Sequence, residues 1–171
     1  VTMISMFGHG GASSPPGLPH DFETATAFAL QQLDELGLLG RPFLLLGHSV
    51  GGFLAARIAA SERAKGLVAA LILVSPQGWS LLPKLADAKR KFQRAWFRRA
   101  ARAVGPSVLA KAVKAEFEDG SGAEARRWAA LVRRHAQGNP EFLRSWSRFI
   151  QEGEYSQAPF QAAAAASPAR P

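Results

Sequence analysis

The sequence predicts an α/β protein, a parallel sheet with flanking helices followed by an all-helical region. Three observations carry that reading. Apolar runs alternate with helical spacing up to residue 74. A short apolar run, Phe43–Leu46, passes within a few residues into a small-residue helix beginning at Val50. Residues 81–152 show helical periodicity and no strand pattern.

Val1–Met6 is an apolar-rich run and is expected to form the first strand. Residues 8–19 read as a loop, with four glycines, three prolines and two serines among twelve residues. Asp21 is a good N-cap, and Phe22, Ala25, Phe28/Ala29, Leu33 and Leu36 fall at helical spacing behind it. Gly37 and Gly40 end that helix, and Arg41-Pro42 leads into Phe43–Leu46, a run suited to burial on both faces. A third strand is expected over Leu67–Val74, ended by Pro76, Gly78 and Trp79. Strands alternating with helices imply parallel pairing through right-handed crossovers.

The later region reads as four helices. Leu81, Leu85, Ala88, Phe92, Ala95 and Trp96 share one helical face. Between Lys84 and Arg102 eight basic residues meet one acid, Asp87, which gives that segment +7 of the formal +8 of the chain. A second helix is expected near 106–117. A third, Glu124–Gln137, carries Trp128, Leu131, Val132 and His135 on one face. Asn139-Pro140 caps and opens a fourth, with Phe142, Trp146, Phe149 and Ile150 inward. The alanine-rich tail, 161–171, reads as disordered. The expected organisation is a core over 1–80, a helical cap over 81–155 and a tail over 156–171.

The composition narrows the function classes. With 171 residues and 47% hydrophobic content the chain suits one globular domain. It has no cysteine, so disulfides and thiolate metal sites are excluded. No apolar run reaches the roughly 18 residues of a membrane span. The first residues lack a basic leader and a small-residue cleavage site, so the expected setting is cytoplasmic. The basic segment beside its apolar stripe suggests contact with an anionic membrane surface through residues 84–102, which makes the expected location peripheral to a membrane. Nucleic acid is not the expected partner, because Phe92, Trp96 and Phe97 fall mostly on the inward face and leave little to stack on bases.

Chemistry centres on Gly47-His48-Ser49-Val50-Gly51, a match to G-x-S-x-G between strand and helix. Such a turn holds Ser49 at a strained apex with its hydroxyl at the carboxyl edge of the sheet. Gly47 and Gly51 are expected to be glycine because the chain passes close to itself on either side of the apex. Ser49 also starts a helix, where free N–H groups favour negative charge, and the Val50 N–H is the candidate oxyanion donor. Ser49 is the candidate nucleophile.

These residues resemble the α/β-hydrolases. The elbow Gly47–Gly52 carries the resemblance, together with Phe7-Gly8-His9-Gly10-Gly11-Ala12-Ser13-Ser14, similar to the "D-x-x-G-H-G-x-S" loop of that family, and Leu71-Ile72-Leu73-Val74-Ser75-Pro76, similar to its sixth strand. Ser5 stands where the family pattern has Asp. The resemblance implies a serine hydrolase acting on esters or acylglycerol-like lipids, with a small apolar ester or lipid as substrate and no cofactor or metal. The Gly-Gly-Phe-Leu-Ala-Ala after the serine leans towards lipid-acting members.

The resemblance also implies an acid and then a histidine after the serine. His135 is the single histidine downstream of Ser49, and it reads as a helix C-terminal residue. His9 reads as a loop residue near the site entrance, His20 as a surface residue, and His48, by the resemblance, as a packing residue. The catalytic acid and base are therefore unassigned. The expectation is a partial fold, weakly active or inactive as it stands. Two alternatives compete with it: a non-catalytic hydrolase-like binding protein, and a basic helix acting as a membrane or nucleic-acid module.

Overall fold

The computed structural model describes residues 1–9, 12, 17–78, 121–139, 142, 145 and 156–166. Helix α1 spans Phe22–Glu35, and its N-cap Asp21 accepts a hydrogen bond from the Thr24 N–H at 2.8 Å. Gly37, at φ 66°, and a 3₁₀ turn over Leu38–Gly40 lead into strand β1, Phe43–His48. Helix α2 follows at Val50–Ala59, then strand β2 at Val68–Val74. Helix α3 spans Ala123–Gly138, and α4 spans Ala158–Ala166.

The strands pair in parallel, as the strand–helix–strand pattern predicted, with Leu44 opposite Ala70 and His48 opposite Val74. One face of the pair is covered. Phe43, Leu45, Val68, Leu71 and Leu73 pack against a core of Phe22, Ala25, Ala29, Leu30 and Leu33 from α1, Phe53, Leu54, Ala56 and Ile58 from α2, and Phe160 from α4. The other face is open: Leu44 is 69% and Leu46 63% exposed, with Ile72 and Val74 exposed beside them. Burial of β1 on both faces was expected and is corrected. Among the described residues no element covers the second face, and a parallel sheet ordinarily has helices on both.

Val1–Met6 is not a strand. A strand needs ladder partners, and here the Ser5 carbonyl accepts from Gln32 Nε2 of α1 at 3.0 Å while the Met6 carbonyl closes a turn with the His9 N–H. The tail is corrected over 158–166, which is helix α4 rather than disorder. Alanine is the best helix former, and Phe160 anchors the helix against Phe53 of α2 with ring centroids 5.7 Å apart.

Helix α3 forms where predicted, but its orientation is corrected. Ala125, Ala129 and Ala136 are buried, while Trp128, Leu131 and His135 are exposed. Periodicity finds a face, and here the narrow alanine face is the one that fits against its neighbours. The predicted cap at Asn139 is present, its Oδ1 accepting from the Phe142 N–H at 3.1 Å. The basic helix around 84–102 and the helix near 106–117 lie outside the described residues, as do most of the fourth predicted helix and residues 167–171.

Candidate active site

Strand β1 delivers the chain to Gly47, and helix α2 starts three residues later at Val50. The reversal is made at Ser49, which has φ 52° and ψ −120°, a conformation rare outside glycine and worth roughly 1–3 kcal/mol of strain. The surroundings hold it there. The Ser49 N–H donates to the Val74 carbonyl at 3.0 Å, so β2 fixes the amide side of the turn. The Ser49 carbonyl accepts from the N–H groups of Gly52 at 3.0 Å, Phe53 at 3.3 Å and Gln77 at 2.9 Å.

The need for glycine is sharp at Gly47. A Cβ there would lie 2.7 Å from both the Gly51 carbonyl carbon and the Gly52 Cα, and closer still to the Gly51 oxygen. The same close approach was expected at Gly51 and is not found, because a Cβ at Gly51 would meet nothing within 4 Å. The second crowded position is Gly52, where a Cβ would lie 2.8 Å from Pro76 Cβ and 3.1 Å from the Gly47 carbonyl oxygen. The Gly-Gly doublet was visible in the sequence. Which member touches a neighbour depends on where the turn after β2 passes.

Ser49 does not spend its hydroxyl on capping α2. Among the described residues no group accepts from the Val50 N–H, so the candidate oxyanion donor is unspent at the start of the helix. The site therefore presents a half-buried hydroxyl beside a helix N-terminus, an arrangement suited to a nucleophile whose product carries negative charge. Among the described residues no imidazole or carboxylate is hydrogen-bonded to Ser49.

The four histidines fall in three places. His48 ends β1 and is exposed, opposite Val74 and beyond the uncovered Leu46, rather than packed as the resemblance implied. His9 and His135 face the same ring, with centroids 5.1 Å and 4.8 Å from Phe142. Burial holds His9 below the ordinary histidine range, against an opposing hydrogen bond to the Phe7 carbonyl; the charge of His135 pushes the same way as burial. A carbonyl can only accept, so His9 Nδ1 carries the proton in that 3.1 Å bond.

His20 is the histidine that differs most from expectation. It is 3% exposed rather than at the surface, edge-on to Phe7 with Nδ1 3.2 Å from the buried Ser145 Oγ. Ser145 gives its proton to the Phe7 carbonyl at 3.0 Å, so His20 Nδ1–H must be the donor to Ser145. That direction excludes His20 as a base acting through Nδ1 on Ser145. The chain from His20 through Ser145 to Phe7 is a buried tie between the 7–20 loop and the segment after Asn139. Nothing in the local sequence marks Ser145 for that role, because its partners are 125 and 138 residues away.

No group of three or more metal-ligating side chains occurs among the described residues, and no described helix is long and apolar enough to cross a membrane. In a comparison with protein-family models, the model described as "Alpha/beta hydrolase family" matches residues 1–169. No curated protein and no solved structure matches the chain.

Proposed function

The chain belongs to the alpha/beta hydrolase family, and from that premise we propose that it is a serine hydrolase using Ser49 on esters or acylglycerol-like substrates. The observation that carries the reading is the strained Ser49 backbone at the junction of β1 and α2, with the unspent Val50 N–H beside it. A non-glycine residue held in that region is costly, and such residues cluster at functional sites.

In this reading Ser49 Oγ attacks the ester carbonyl carbon, and the carbonyl oxygen becomes an oxyanion that the Val50 N–H stabilises. Collapse expels the alcohol and leaves an acyl-serine. Water then attacks the acyl carbon, releases the acid and returns the hydroxyl. The group that takes the Ser49 proton and the acid that orients it are not assigned, and the reaction calls for no cofactor or metal. In serine hydrolases of this kind the partners of the nucleophile supply most of the rate, and removing one leaves only about 10³–10⁴-fold over water. The basic segment 84–102 would bring the site to an anionic lipid surface. Replacing Arg90, Arg94 and Arg98 by glutamate should weaken binding to anionic vesicles, most clearly at low salt.

The test is covalent labelling. A fluorophosphonate probe should add one phosphonyl group at Ser49, read by intact mass and peptide mapping, and Ser49→Ala should abolish it. Labelling that persists in Ser49→Ala, or that maps to another serine, refutes the assignment.

A further inference from the structure

Ser49 is one of two described non-glycine residues with positive φ; the other is Ser75, at φ 41°. The two are neighbours. His48 and Val74 are register partners at the ends of β1 and β2, so Ser49 and Ser75 are the next residues on adjacent parallel strands. Backbone hydrogen bonds on either side of Ser75 tie the two segments together, from the Ser49 N–H to the Val74 carbonyl at 3.0 Å and from the Gln77 N–H to the Ser49 carbonyl at 2.9 Å. Both leave the carboxyl edge of the sheet, the edge at which open α/β sheets bind ligands.

The left-handed step at Ser75 has a visible consequence. It turns the chain back over the elbow instead of letting it continue along β2. Pro76 then lies against Gly52, so closely that a Cβ on Gly52 would sit 2.8 Å from Pro76 Cβ. The Gln77 N–H donates to the Ser49 carbonyl at 2.9 Å. Gly78, at φ 90°, rests on the edge of the Phe53 ring, where an added Cβ would lie 2.9 Å from Cδ2. Ser49, Gly52 and Phe53 thus each meet one residue of this turn, and β2 binds the Ser49 amide through Val74.

We propose that Ser75 is a positioning residue of the elbow: its left-handed backbone aims Pro76 and Gln77 so that they hold Ser49 in its strained conformation. The role belongs to the backbone conformation, not to the hydroxyl. It follows that residues tolerant of positive φ can replace Ser75, and that a β-branched residue cannot. The proposal rests on Ser49 being the working residue of the site, and its test is chosen to be read separately from that assignment.

The experiment compares the full chain with Ser75→Gly, Ser75→Asn and Ser75→Val by native-state amide hydrogen exchange, with phosphonylation rate as the second readout. In the parent chain the Ser49 and Gln77 amides should be protected. Glycine and asparagine should keep that protection within about 3-fold, because both accept positive φ at low cost. Valine should accelerate exchange at Ser49 and Gln77 by about 10-fold or more while α1 amides such as Leu33 stay unchanged, and should slow phosphonylation of Ser49 in parallel. Unprotected Gln77 in the parent chain overturns the proposal. So does equal protection in all three variants, loss in glycine and asparagine as well as valine, or a valine effect shared equally by α1. Labelling that survives Ser49→Ala removes the nucleophile assignment and leaves the exchange pattern to decide the role of Ser75.

Discussion

Replacing Gly47 by alanine puts a methyl carbon 2.7 Å from two backbone atoms of the first turn of α2. Ordinary carbon contacts begin near 3.5 Å, so β1 and α2 must separate by roughly 0.8 Å. No rotamer relieves this, because both the added Cβ and the atoms it meets are fixed to backbone. Overpacking of this kind costs about 1–3 kcal/mol. The separation also strains the Ser49 N–H bond to the Val74 carbonyl, which adds about 1 kcal/mol if it breaks. The expected loss is about 2–4 kcal/mol, or a fall in Tm on the order of 5–15 °C for a chain of this size. Gly51→Ala is the control. It meets nothing within 4 Å and sits in helix α2, where alanine is favoured over glycine by about 0.5–1 kcal/mol. Its Tm should hold or rise by a few degrees. Thermal melts followed by circular dichroism give the Tm of both variants, and urea denaturation gives the free energy. A Gly51→Ala variant as unstable as Gly47→Ala, or a Gly47→Ala variant as stable as the parent, would refute the steric account of the elbow.

Three further outcomes follow from the fold. Changing Leu46 and Ile72 to threonine on the open sheet face should reduce dye binding and concentration-dependent association, because these side chains are exposed neighbours on paired strands; unchanged sedimentation would show that the face is not the adhesive surface. Phe160→Ala should cost up to about 3–5 kcal/mol, since Phe160 is 4% exposed and packs on Phe53; helix α4 contributes little if the urea midpoint does not move. His9 has a folded pKa below its unfolded value, so its contribution to stability is complete above the unfolded pKa near 6.5 and declines as pH falls below it through the folded value. His9→Gln should therefore flatten the loss of Tm as pH falls below about 6.5, and an identical pH profile in parent and variant counts against burial of the ring.

The alternation of elements, the parallel pairing, the Asp21 and Asn139 caps and the strand–serine–helix junction were all legible in the sequence. They rest on local rules: apolar period, capping side chains and the small set of residues a tight turn accepts. Tertiary structure decided the rest. Local pattern called for Val1–Met6 to be a strand, but a strand exists only where a neighbour supplies its ladder bonds. Alanine composition at 161–166 suggested disorder, while one buried phenylalanine and a helix to dock on made it α4. Periodicity placed Trp128 and His135 together on a face of α3 without saying that alanines would take the inside. At the site the glycine doublet was plain, yet only the path of the Ser75–Gly78 turn shows that Gly52 is crowded and Gly51 is not. His20 and Ser145 are 125 residues apart, and no local signal can pair residues that meet only when the chain closes on itself.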